Sequence, residues 1–548
     1  MSQQSAGHLI VESLKAHGVD RVFSVPGESY LDVLDGLYQS GVENVVCRQE
    51  GGATYMAEAH GKLTGEPGVA MVTRGPGASN AFVGIHLAWQ DSTPLVLFTG
   101  LIPFEHREKE AFQEFDPHQW FGTQAKRVMI LDEADRASEY VAEAFFAARS
   151  GRPGPVVVGL PEDVITELTD APVIQPIPVT EGAVSTEELA ELKSALEKAE
   201  KPALLLGGPR WTAEAARQVT AFAEKNGIPV VSDWRAADRI PADSPVNAGE
   251  AGYGRAEETV TVLKDADLLL LVGGTLSDIP TDGFTVRQDP SDVNWIVNID
   301  PSLRQHSGAV TRQILASPVA FARALESLEL GEHPDWSGWL EPAVAAHRNV
   351  TTIPETAGNN AEGTADMELV MKELLKHLPE DAAVTYGSGN HTAWPHRYFP
   401  NNTYPSQFSV RNGTMGYSVP AAVAVSLDQP ERFVFSVAGD GEFLMNAQEL
   451  ATAKQFGAHP LIIVMDNSQF ATIRSHQEAH YPGRVSGTQL VNPDFATVAK
   501  GFGAYGARLE DNADIERVIS EAVQAVTEQK IPAVIHVIAD RAKLLPGM

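Results

Sequence analysis

Short apolar, β-branched runs alternate with longer amphipathic stretches along almost all of the 548-residue chain. That alternation limits the fold more than any other feature. Strands separated by a helix run parallel, and a parallel sheet needs helices on both faces. Strands are expected at 20–25, 44–47, 68–73, 94–99 and 155–160, the first stopped by Pro26-Gly27, with a helix over 30–39. A Pro-rich stretch at 171–179 reads as a linker. A second unit carries helices at 187–199 and 211–225 and strands at 203–207, 229–232 and 267–273. A third carries strands at 383–385, 433–437, 460–465 and 533–537. So long a chain exceeds one hydrophobic core. The expected architecture is α/β, with three doubly wound parallel-sheet domains over 1–175, 185–348 and 364–548.

Composition removes several classes. Hydrophobic content of 43% and charged content of 21% are ordinary for a folded globular protein. The net charge of −31 repels a phosphate backbone, so no nucleic-acid partner is expected. Cys47 is the only cysteine, which excludes an intrachain disulfide and a Cys-rich zinc site. The first 18 residues read as an amphipathic helix, not a signal sequence. Apolar runs such as 266–272 fall far short of a membrane span. A cytoplasmic protein with no membrane partner is expected.

The segment 433–467 carries the chemistry. One apolar strand ends at Gly439-Asp440-Gly441, a helical stretch follows, and a second apolar strand ends at Asp466-Asn467. Parallel strands present their carboxyl ends on one sheet edge, where ligands bind. Asp440 and Asn467 are therefore expected side by side. One carboxylate and one amide oxygen, completed by phosphate oxygens, suit Mg²⁺, and the glycines let the backbone approach a diphosphate closely. Gly-Asp-Gly alone is a common turn; its pairing with Asn467 gives it weight.

Together these residues resemble the motif of thiamine-diphosphate-dependent enzymes, which begins with Gly-Asp-Gly and ends in Asn, here with Asp466 before Asn467 where Asn-Asn is usual. The resemblance implies a cofactor cradle of Gly439, Asp440, Gly441, Glu442 and Asn467, and a metal held by Asp440, Asn467 and the carbonyl of Gln469. The segment Arg48 to Ala53 is similar to the one whose glutamate bonds the cofactor's pyrimidine, which makes Glu50 the group that handles a proton at ring N1′. Alone, Glu50 reads as a charge at a helix N-terminus. Gly413-Thr414-Met415-Gly416 is similar to the loop that props the cofactor in a bent form, with Met415 as the prop and the Gly413 carbonyl as acceptor for the 4′-amino group. Core filler is the competing reading of Met415. Gly389-Asn390-His391 resembles the stretch touching the diphosphate, with Asn390 in place of a frequent Gln; a structural role for His391 is the alternative.

Over essentially the whole chain the resemblance is to acetohydroxyacid (acetolactate) synthases and 2-oxo acid decarboxylases, through MVTRGPGASN (71–80), AFQEFD (111–116), SGRPGPVVVGLPEDV (150–164) and MNAQELATA (445–453). It implies pyrimidine-binding, middle and diphosphate-binding domains, with the cofactor between the first domain of one subunit and the third of its neighbour, hence a homodimer or homotetramer. Phe112 and Gln113 would line the substrate channel, Gln113 bonding the reacting oxygen; a surface loop is the alternative. His476 stands where the synthases carry a Trp that selects the second 2-oxo acid, and would be a proton donor or a solvent-facing histidine. GGTLSDIPTDGF (273–284) lacks the Arg-Phe found where the synthases hold FAD, so weak or absent flavin binding is expected. Glu28 occupies the place of an acidic residue used by pyruvate and indolepyruvate decarboxylases, although their paired histidines are missing; capping the helix near Tyr30 is its other reading. The expected activity is decarboxylation or carboligation of a small 2-oxo acid with thiamine diphosphate and Mg²⁺, an aldehyde being a candidate acceptor. A flavin-dependent oxidase of the same fold and a non-catalytic thiamine-diphosphate-binding protein are the alternatives.

Overall fold

The protein is described by a computed structural model covering residues 3–302, 310–356, 358 and 360–547. It contains three six-stranded sheets in which every paired strand is parallel. In chain order the first sheet takes Arg21–Ser24, Glu43–Val46, Gly68–Val72, Leu95–Leu101, Arg127–Ile130 and Pro155–Pro161. They lie side by side as second, first, third, fourth, sixth and fifth. The third sheet, from Ala383–Tyr386, Gln407–Ser409, Val434–Gly439, Leu461–Asp466, Tyr505–Leu509 and Ala533–Ile538, repeats that order. The two domains are thus one topology used twice, a repeat that no stretch of sequence announces.

The middle sheet differs. Its strands Pro202–Leu206, Val230–Ser232, Asn247–Glu250, Leu268–Val272, Asn294–Val297 and Arg312–Ile314 are ordered third, second, first, fourth, fifth and sixth, the order of dinucleotide-binding sheets. The segment at 171–179 that joins the first two domains has no regular secondary structure, as a linker should.

Central strands such as Leu95–Leu101 and Leu461–Asp466 are buried along their whole length, because helices cover both faces. Those strands are legible in the sequence. The strands it does not announce (Arg127–Ile130, Asn247–Glu250, Asn294–Val297, Arg312–Ile314, Gln407–Ser409 and Tyr505–Leu509) all lie at or next to a sheet edge. All but Asn294–Val297 have one flank open, and none carries a long continuous apolar run. Among the described residues no helix is long and apolar enough to cross a membrane.

The first and third domains share a single apolar core. Helix Glu50–Thr64 packs on helix Ser418–Asp428, and the small side chains of Ala53, Ala57, Ala421 and Ala424 bring the two close. One buried charge cluster lies in this contact. Glu58, with no exposed surface, accepts hydrogen bonds from Thr93 Oγ1 at 2.7 Å and Tyr417 OH at 2.6 Å, and pairs with Lys62 Nζ at 3.0 Å. Lys62 also pairs with Asp91 and donates to the Ser409 carbonyl. Lys62 thus neutralises two carboxylates where the domains meet. Lys62→Ala would leave both uncompensated and should destabilise the protein by about 3–5 kcal/mol, read as a lower urea midpoint. An unchanged midpoint would show that the cluster is dispensable.

Candidate active site

The strands Val434–Gly439 and Leu461–Asp466 are neighbours, with Gly439 opposite Met465. That register sets Asp440 and Asn467 side by side at the carboxyl edge of the sheet, as the sequence predicts. Both are buried, at 3% and 7% exposure, and Gln469 follows at 8%. Ser468 between them takes a left-handed φ of +52°, and its N–H bonds to Asp466 Oδ1 at 2.8 Å, which turns the chain just past the strand. These residues line a cavity of about 200 Å³ together with Asn390, His391, Gly413 and Met415. A Cβ on Gly439 would meet His391 Nδ1 at 2.6 Å, and one on Gly441 would meet the Phe470 ring at 2.4 Å. Glycine at both positions is what lets the backbone form a tight cradle.

A larger cavity of about 560 Å³ lies elsewhere, where the three domains meet beside Arg210, Arg235 and Arg411. The smaller one holds the Asp440 carboxylate, the Asn467 amide and the Gly439 and Gly441 backbone together at one sheet edge. Among the described residues no three His, Cys, Asp or Glu side chains gather in metal-binding geometry. A cation at Asp440 would need amide, carbonyl and phosphate oxygens to complete its shell, which the Asn467 amide, the segment to Gln469 and a bound diphosphate can supply.

A second layer holds this edge. Asn492 Nδ2 donates to Asp440 Oδ2 at 2.7 Å and to Asp466 Oδ1 at 2.9 Å, bridging the two carboxylates. His536, buried on the adjacent strand, lies 2.9 Å from Asp466 Oδ2. Burial, and then the neighbouring Asp466 carboxylate, push Asp440 up to about 6. Burial opposes ionisation of Asp466 too, but hydrogen bonds from His536, Asn492 and the Ser468 N–H outweigh it and hold Asp466 down at about 2. Asp466, in the place of the usual Asn, is thus the anchor of the turn that presents Asn467. Neither Asn492 nor His536 is marked by spacing or motif in the sequence.

Met415 is half-buried on the cavity wall and lies outside the buried core. Its carbonyl accepts from Tyr55 OH at 3.3 Å, a further residue that no motif in the sequence marks. Asn390 Oδ1 accepts from Thr472 Oγ1 at 2.6 Å. His476 is exposed on helix Ala471–His480, whose first residues line the cavity.

Glu50, Glu28 and Gln113 do not line this cavity. They form a second cluster at the matching edge of the first sheet. Glu50 begins helix Glu50–Thr64, with Gln49 capping it through a bond from the Gly52 N–H. Glu50 Oε2 accepts from Asn80 Nδ2 at 2.9 Å, and a Cβ on Gly77 would lie 3.3 Å from Oε1. Glu28 makes no capping bond; it is largely exposed and pairs with the buried Arg74 at 3.1 Å. Gln113 is half-buried in a turn at a left-handed φ of +64°, its backbone against Gly75.

Comparison with known proteins agrees with this geometry. Residues 4–120 match the thiamine pyrophosphate enzyme N-terminal TPP binding domain, 189–325 the central domain and 387–537 the C-terminal TPP binding domain. The chain therefore belongs to the thiamine pyrophosphate enzyme family. Within it, the relatives are acetolactate synthase large subunits. The chain is 30% identical to that of Parasynechococcus marenigrum over 96% of its own length and 87% of the relative's. It is 30% identical to the isozyme 2 large subunit of Escherichia coli over 97% and 95%, and 30% identical to that of Lactococcus lactis over 98% and 93%.

Because the folded protein holds the Asp440 proton more tightly than the unfolded chain, this carboxyl's contribution to stability falls as pH rises from about 4 to about 6. A divalent cation binds only the ionised form. With thiamine diphosphate present, the cation concentration giving half-maximal thermal stabilisation should be flat above pH 7 and rise about ten-fold per pH unit below 6. A midpoint independent of pH would contradict cation binding at Asp440.

Proposed function

We propose that this chain is a 2-oxo acid decarboxylase or carboligase of the acetolactate synthase type, using thiamine diphosphate and Mg²⁺ and working in the cytoplasm as a homodimer or homotetramer. The observation that carries the reading is the pairing of Asp440 with Asn467 on one sheet edge, above a glycine cradle and beside Met415. When bound, thiamine diphosphate supplies a nucleophilic thiazolium carbon and an electron sink for bonds next to a carbonyl.

Each residue then has a task. Asp440, Asn467 and the Gln469 carbonyl hold Mg²⁺, and Gly439, Gly441, Asn390 and His391 receive the diphosphate. Met415 and the Gly413 carbonyl set the pyrimidine. Glu50, oriented by Asn80, holds and returns a proton at pyrimidine N1′. Glu50 lies outside the cavity of its own third domain, which favours its acting on the cofactor of a second subunit. Glu28, steadied by Arg74, and His476 are the proton-handling groups left for substrate, and Gln113 hydrogen-bonds the reacting oxygen. The working domain division is 1–175, 185–348 and 364–548.

FAD fits the middle domain poorly. A dinucleotide binds outside the carboxyl ends of the first and fourth strands of such a sheet. Here Arg411, from the third domain, reaches over that point to Asp233 Oδ2 at 2.7 Å, the Trp234 carbonyl at 3.0 Å and Ser277 Oγ at 3.1 Å. Protein incubated with FAD and desalted should stay colourless; bound flavin with oxygen uptake would favour the oxidase reading instead.

The activity is tested by CO₂ release and product analysis across varied 2-oxo acids, with and without aldehyde acceptors. Glu50→Gln should bind the cofactor and stay folded while losing about 10²–10⁴-fold in turnover. Wild-type protein that binds the cofactor yet releases no CO₂ from any 2-oxo acid would favour a non-catalytic binder.

A further inference from the structure

Glu442 is the residue after the Gly-Asp-Gly turn, 1% exposed, in helix Asp440–Asn446. A carboxylate so deeply buried is costly unless its oxygens are matched. Oε1 accepts from Ser418 Oγ at 2.6 Å, the Gly416 N–H at 3.2 Å and the Ser418 N–H at 3.4 Å. Oε2 faces His391 Nε2 at 2.6 Å, a close contact without hydrogen-bond alignment that becomes an ion pair when His391 is protonated. The chain makes room for this side chain: a Cβ on Gly387 would sit 1.9 Å from Oε1. The Gly387 N–H meanwhile bonds Ser418 Oγ at 3.1 Å, which closes the network.

Those partners belong to separate parts of the cavity. Gly416 and Ser418 flank the loop that carries Gly413 and Met415, at the pyrimidine end. His391 lies over Gly439, at the diphosphate end. The strand Ala383–Tyr386 and the residue after it hold Ser418 from one side, through Thr385 Oγ1 to the Ser418 carbonyl at 2.8 Å and the Gly387 N–H to its Oγ. Glu442 is the side chain that reaches from that anchored point across to His391.

From this geometry we propose that Glu442 is a positioning residue, a clasp that sets the Met415 loop and His391 at the separation the bent cofactor requires. Its oxygens face Ser418, Gly416 and His391, so it acts through the two loops. The inference rests on the thiamine-diphosphate reading of the cavity and adds to it a residue whose side-chain reach, not only its charge, sets cofactor affinity and turnover together.

Two substitutions separate reach from charge. Glu442→Asp keeps the carboxylate but is one methylene too short to meet Ser418 and His391 together. Glu442→Gln keeps the reach and loses the charge that holds His391. Each is titrated with thiamine diphosphate at saturating Mg²⁺, following tryptophan fluorescence and the near-ultraviolet circular dichroism of the bound cofactor. Turnover is measured separately at saturating cofactor. The clasp predicts that Glu442→Asp, with its melting temperature within a few degrees of wild type, loses about ten-fold or more in affinity. It should also show an altered dichroism band and a lower kcat even when saturated. Glu442→Gln and His391→Gln should each weaken binding, and their combination should weaken it no more than the worse single change. Wild-type affinity and dichroism in Glu442→Asp, or fully multiplicative losses in the double variant, would overturn the clasp. Failure of the wild-type protein to bind thiamine diphosphate would instead sink the reading of the cavity itself, so the two failures are distinct.

Discussion

The pairing of Val434–Gly439 with Leu461–Asp466 is the constraint from which the rest follows. Two buried parallel strands in that register end at the same height, so the residues just past them, Asp440 and Asn467, must be neighbours. A slip of one residue would turn every side chain of the strand to the opposite face and separate the carboxylate from the amide. The apolar character of both strands, enclosed by helices on each side, makes such a slip prohibitive. Chemistry at this edge is therefore secured by core packing, well away from any catalytic group.

The same logic explains the doubled topology. The first and third domains use one strand order, and each brings its loops to the carboxyl edge of its sheet. One edge carries an oxygen-rich cradle, the other a glutamate with an amide partner and an acid–arginine pair. Neither edge alone holds everything that the proposed chemistry needs. Their shared core, with Lys62 compensating two buried carboxylates, fixes the two domains against each other within the chain. The middle domain has the strand order of a dinucleotide-binding sheet, yet its switch point is spanned by Arg411. A cavity of about 560 Å³ lies beside it.

What the sequence reveals depends on how local the signal is. Asp440 and Asn467 are legible because each follows an apolar strand and one helix separates them. Glu50 is legible because a strand, a polar turn and a glycine-rich helix start adjoin it. Asn492 and His536, which tune the charge of Asp440 and Asp466, come from a distant loop and a later strand, and no spacing links them to the site. Asn80, Tyr55 and Ser418 are invisible for the same reason: their roles exist only once helices pack. Edge strands such as Arg312–Ile314 are lost because half of each faces outward, and Glu28 reads as a helix cap until Arg74 is seen beside it.

The proposed chemistry depends on one recognition, that of thiamine diphosphate by the Asp440–Asn467 edge. Isothermal titration of the purified protein with thiamine diphosphate, with and without Mg²⁺, tests it most directly. Saturable binding of one cofactor per chain is predicted, present only with the cation and abolished in Asp440→Ala. Binding that is absent under all conditions, or that is indifferent to both the cation and Asp440, would contradict the account.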